Sequence, residues 1–182
     1  MHAFRFPFLA VMTLALAVVT GPVRAAEEEP APLVPDVVDF SKLLPSLPEP
    51  PAGWTAEKAD GSTTDAAGTK VTSVHRDYVK GAANGAPTAS ISILDSAANP
   101  EYVAATISAW TVSTSTPDGY TKSIKIADTP GFETFENEGK HGTLWLMVAK
   151  RFVLQIETTG LDAKELGDWL KRIDLKKLAA VK

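Results

Sequence analysis

Residues 71–94 read VTSVHRDYVKGAANGAPTASISIL. Positions 71–79 are dense in β-branched and aromatic side chains, which suit a pleated, half-buried strand. Positions 88–94 alternate: Ala89, Ile91 and Ile93 fall on one face, Ser90 and Ser92 on the other. Between the two runs, GAANGAP (81–87) contains Asn84-Gly85, a hairpin signal. The segment predicts two antiparallel strands with one face turned inward.

Downstream, Asn99-Pro100-Glu101 reads as a helix start. Asn99 suits the N-cap, Pro100 the first turn, and Glu101 faces the positive helix end. Val103, Ile107 and Trp110 repeat on one helical face, and Thr116-Pro117-Asp118-Gly119 is the expected stop. Tyr120, Ile124 and Ile126 then alternate with Thr121, Ser123 and Lys125. Turns are expected at 129–131 and 137–142, with a strand at 132–136 between them. The apolar stretches 144–149 and 152–158 are together too long for a typical strand, so a tight turn is predicted near Lys150-Arg151. No Gly or Asn marks it. Asp162 and Glu165 resemble a capping box, and Leu161 and Leu166 a hydrophobic staple, at the start of a closing helix. Its apolar face is Leu166, Trp169, Leu170 and Ile173; Leu175 and Leu178 continue it after a kink.

The expected fold class is α+β. A mainly antiparallel sheet carries two helices packed on one face, in the order β-β-α-β-β-β-β-α, with room for a further strand at Trp54.

Upstream, residues 1–25 read as a cleavable signal peptide. Arg5 supplies the positive start, 9–19 the apolar run, Gly21-Pro22 the break, and Val23-Arg24-Ala25 the small-x-small site. The apolar run is shorter than the roughly 20 residues a membrane span needs. The mature protein is therefore expected in the periplasm or secreted, and not as an integral membrane protein. Residues 26–52 read as a Pro-rich linker, holding seven of the 13 prolines. Within it, Val37, Val38, Phe40, Leu43, Leu44 and Leu47 form an apolar patch. That patch is expected to pack onto the domain; the alternative is a docking peptide for a partner. The single folded domain is expected over 53–182, with 59–70 as a polar loop.

Composition narrows the function classes. The chain has no cysteine, so its core holds it together without disulfides. Removing Arg5 and Arg24 with the signal leaves 16 basic residues against 22 acidic ones, a mildly acidic protein. Nucleic acid and anionic membrane surfaces reward the opposite sign.

No residue set specifies a reaction, a metal or a cofactor. Nucleophile motifs and phosphate-binding glycine loops are absent. His75 shares a strand face with Asp77, the arrangement of an oriented base, and His141 falls in a turn. Two distant histidines without cysteine do not make a zinc site. Glu133 and Glu136 fall on opposite strand faces, which argues against a calcium cluster. Catalytic, cofactor-binding and metal-binding residues are thus expected to be none. Trp110 and Trp169 read as core residues or as the lining of an apolar pocket. Trp145 and Met147 lie opposite Leu144 and Leu146 on their strand. With both helices over the leucine face, Trp145 and Met147 would form an exposed patch and a possible interface.

Several segments together carry a resemblance. A Pro-rich leader ends in Pro51-Ala52-Gly53-Trp54, and early strands and a helix follow. Then come a Lys-Ile-x-x-x-Pro-Gly-Phe-Glu segment (125–133), an apolar hairpin and an amphipathic closing helix. In this layout the chain resembles small exported bacterial proteins of the PsbP/Mog1-like kind. The resemblance is architectural, spans most of the mature chain and transfers no functional residue. It implies a non-catalytic accessory or binding domain of the cell envelope, with a protein partner. The alternatives are a carrier of a small apolar or lipid-like ligand and an unrecognised hydrolase.

Overall fold

A computed structural model describes residues 36–66 and 69–182. The expected signal peptide and the first part of the linker lie outside the described residues. Among the described residues, nine strands form one antiparallel sheet. They are β1 (Trp54–Ala56), β2 (Asp60–Ala66), β3 (Thr69–Lys80), β4 (Thr88–Asp95), β5 (Thr114–Thr116), β6 (Gly119–Ile126), β7 (Thr129–Glu136), β8 (His141–Val148) and β9 (Phe152–Thr159). The helices are α1 (Phe40–Leu43), α2 (Pro100–Ala109), α3 (Lys164–Leu170) and α4 (Leu175–Ala179). The sheet runs β1-β3-β4-β9-β8-β7-β6-β5, and β2 also pairs with β3. The fold is α+β with a mainly antiparallel sheet.

The β3–β4 hairpin pairs Val79 with Thr88 and Val74 with Ile93. Gly81 and Gly85 adopt the left-handed conformation in its loop. The inward parity of β4 continues on β9 and β8, where Ile91, Ile156 and Leu144 share one row. This face makes the main core, closed by Leu166 and Trp169 of α3, Leu178 of α4 and Ile173 between them.

The two helices expected on one face lie on opposite faces. α3 and α4 cover the Leu144–Leu146 face, whereas α2 covers the other, with Val103 against Met147 and Val153. The topology gives the reason. After β4 the chain must reach β5, five strand positions away, about 24 Å at roughly 4.8 Å per strand. The ten residues of α2 supply about 15 Å of that crossing. The inner face is filled by α1, α3 and α4, so the crossing takes the outer one.

The folded unit starts upstream of Gly53. Val38, Leu43 and Leu47 of the expected linker are buried in the main core, Leu43 at 0 % exposure. Proline fixes the backbone of this strap but does not keep its leucines in water. Each buried aliphatic side chain contributes about 1.5–3 kcal/mol. The strap also explains β2, where a polar loop was expected. Gly61 sits beneath Phe40, which a Cβ there would meet at 3.1 Å. Thr63 Oγ1 accepts from the Phe40 amide at 3.2 Å. Small polar residues here serve α1 rather than an apolar layer of their own.

Other differences are local. The closing helix is two helices, and Asp162 does not cap the first: its carboxylate accepts from Lys140 Nζ at 2.8 Å. The turn expected at 129–131 falls at Ala127-Asp128, both in the left-handed region, and Pro130 and Gly131 join β7. The expected tight turn near 150 is present. Ala149 and Lys150 both have φ of 53° and the Arg151 amide donates to the Val148 carbonyl at 3.1 Å, a tight left-handed turn within a three-residue connection.

Candidate functional site

The register of β8 and β9 makes the outer face. The row through its middle reads His75, Ser92, Gln155, Trp145, Phe132 and Ser123 across six strands. One end of this face is apolar: Leu94, Val153 and Met147 lie under α2. The other end is polar, with Ser90, Glu157, Thr143 and Thr134 in line, all half-exposed except the buried Thr143.

α2 rests lightly on this face. Its N-cap Asn99 makes no side-chain capping bond, and Val103 is its one buried residue. Tyr102 on the same helix is 48 % exposed. Between α2 and the sheet lies a groove of about 250 Å³, lined by Trp110, Trp145, Tyr102, Ser92, Thr106 and Gln155 together with Leu94 and Val153. The Trp145 ring leans on Phe132 at a centroid distance of 6.2 Å.

The residues singled out from sequence fall as follows. Trp145 is half-buried at the groove. Met147, expected beside it in an exposed interface, is 1 % exposed, because α2 covers the face that was expected to be bare. Trp110 and Trp169 line no common pocket, since they lie on opposite faces of the sheet. Trp169 is 2 % exposed and packs edge-on against Trp54 at 4.9 Å and tilted against Tyr78 at 4.6 Å. Beside it is only a 150 Å³ surface notch with a charged rim of Lys80, Glu165, Asp168 and Arg172.

His75 Nε2 lies 3.0 Å from Asp77 Oδ2 on exposed sheet surface, with Ser92 opposite in register. His141 reaches Thr159 Oγ1 at 3.3 Å. Both histidines stand on an open face rather than in a cleft. Among the described residues, no three His, Asp or Glu side chains gather as a metal ion would need. Glu133 is held by Tyr120, whose hydroxyl donates to it at 2.5 Å, and by Lys122 at 2.9 Å. Burial, and then the Glu133 carboxylate, push the Tyr120 hydroxyl well above the usual tyrosine range.

A larger groove of 430 Å³ lies at the far edge of the sheet, beside exposed threonines and the carboxylates of Asp118, Glu136 and Glu138. We place the candidate site at the smaller groove because two half-buried indoles converge there with neutral hydrogen-bonding groups. That lining can bind and orient a ligand; it holds no nucleophile–base pair.

Sequence reasoning missed Tyr102, Thr106 and Gln155, which become neighbours only through the crossing of α2. It also missed Asp95, which is 0 % exposed. Its carboxylate accepts from the amides of Val38 (2.8 Å) and Ala97 (3.0 Å) and from Arg151 Nε (2.9 Å) and Nη2 (2.7 Å). The signal was present, since Asp95 is the next inward position after Ala89, Ile91 and Ile93.

Comparison with known protein families, curated proteins and solved structures returns no match. Among the described residues, no helix is long and apolar enough to cross a membrane.

Proposed function

We propose that this chain is an exported, non-catalytic accessory domain of the cell envelope, and that it binds its partner through the groove between α2 and the sheet. One observation carries the reading: Trp145 on the sheet and Trp110 at the C-cap of α2 are only half-buried, beside a helix that buries a single residue. Indole surface left accessible on a protein with a complete core elsewhere marks a contact site. The groove is open and partly polar, which favours docking over enclosure of a lipid-like cargo. The resemblance to PsbP/Mog1-like accessory proteins and the signal-like residues 1–25 support export and a non-enzymatic role.

The test places a photo-crosslinking side chain at Thr106, in the groove, or at Lys176, on the opposite side of the sheet, in cells making the full chain. A discrete adduct from position 106 and none from 176 is the expected result. Equal labelling at both positions, or none at either, counts against the reading. Mass analysis of the purified protein should show a chain beginning at Ala26; an uncleaved Met1 would sink the export claim.

A further inference from the structure

We propose that the groove holds a sugar ring of an uncharged glycan, packed against Trp145 and Trp110 and hydrogen-bonded by Ser92, Thr106, Tyr102 and Gln155. This rests on the binding role proposed above and names the class of ligand.

The lining decides the class. The chain carries 18 basic and 22 acidic residues, yet no lining residue of this groove is charged. A charged ligand would meet no counter-charge there. An acyl chain would take water from the three hydroxyls and the amide and return no hydrogen bond, which is unfavourable. A peptide lacks its usual anchor: Ser92 and Gln155 sit on β4 and β9, central strands paired on both sides, so no free strand edge offers backbone bonds. Recognition must therefore run through side-chain hydroxyls, an amide and flat rings. A pyranose matches that set, with an apolar C–H face for the indoles and a rim of hydroxyls that both donate and accept. Serine, threonine and tyrosine hydroxyls and the Gln155 amide likewise do both.

Size and adaptability agree. The groove's 250 Å³ falls below the roughly 300–1,000 Å³ of sites for drug-sized molecules, which suits one ring of a longer chain. Gln155 Nε2 spends its bond on Glu157 at 3.5 Å, a long contact that a ligand hydroxyl can displace.

The four tryptophans supply an internal control. Indole N–H signals of the full mature chain are followed by NMR during titration with maltohexaose, cellohexaose or chitohexaose at millimolar concentration. Trp110 and Trp145 should shift for at least one sugar, while Trp54 and Trp169, packed in the main core, stay still. Gln155→Ala should weaken binding by about 3–10-fold, the worth of one hydrogen bond. Trp145→Ala should weaken it by more than about 30-fold, as for an aromatic anchor. Unmoved Trp54 and Trp169 signals show that each variant is folded. Retention on insoluble cellulose or chitin assigns a polymer strand as the source; binding of the hexamers alone assigns a free oligosaccharide.

No shift with any of the three sugars overturns the proposal, as does equal affinity in Gln155→Ala and Trp145→Ala. If the position-106 crosslink still forms and carries a protein, the binding role stands and the glycan assignment falls. If neither appears, both fall.

Discussion

Removing Arg151 should cost more than any exposed substitution in this chain. Asp95 is completely buried, and two of the four hydrogen bonds it accepts come from Arg151. Arg151 also donates to the Asp36 carbonyl at 2.9 Å, and Asp95 takes the Val38 amide. The pair thus clamps the strap to the end of the sheet. Arg151→Ala leaves a buried carboxylate facing two backbone amides and no cation. Breaking one side of a buried ion pair costs about 3–5 kcal/mol, against a total stability of about 5–15 kcal/mol for a typical domain. The double variant Arg151→Met/Asp95→Ala should recover part of the loss, because no unpaired charge remains inside. Urea unfolding of the wild type, Arg151→Met, Asp95→Ala and this double variant gives the four corners of a cycle, with Arg151→Ala measured beside them. Amide exchange at Val38 should also quicken in Arg151→Ala, since its acceptor loses its positioning partner. A loss below about 1 kcal/mol in Arg151→Ala, the worth of a surface pair, would refute the reasoning: solvent would then reach Asp95.

Leu43→Ala should destabilise by about 2–5 kcal/mol, and a fragment beginning at Gly53 should show no cooperative melt; a sharp melt of that fragment would make the strap dispensable. Replacing Ala149-Lys150 with Asn-Gly should stabilise by about 1–2 kcal/mol, because left-handed backbone penalises residues with a Cβ; a lower urea midpoint would contradict the turn geometry. Burial pushes the Tyr78 hydroxyl up to about 12, with the nearby Arg76 opposing. A raised folded value means that the folded chain holds its proton after the unfolded chain has released it. Stability from Tyr78 is therefore intact below pH 10 and declines from there toward pH 12. A urea midpoint that holds steady across that window would remove Tyr78 from the explanation.

The parts of the fold legible in sequence were those set by period and by turn chemistry. Alternation at Ala89, Ile91 and Ile93 placed the inward face of β4, and Asn84-Gly85 placed its hairpin. The break near Lys150 followed from length alone. What escaped was set by pairing at a distance. β2 has no apolar period because its partner layer is Phe40, some 20 residues away in the chain. The side taken by α2 follows from where β5 must lie, which no local window contains. The site shared that fate. Trp110 and Trp145 stood out as aromatic, but their convergence with Gln155 and Thr106 required the crossing. Met147 failed as an interface residue for the same reason: its strand parity was read correctly, and the cover over it was not.

The closure of β9 on β4 has a consequence for the newly made chain. Ile93 pairs with Leu154, and Lys42 Nζ reaches the Lys182 carbonyl, 140 positions away. A core that joins Leu43 to Leu178 cannot condense before α4 has been made, and pairings of such long range form slowly. Until then β4 and β9 lack the layer that closes their inner face.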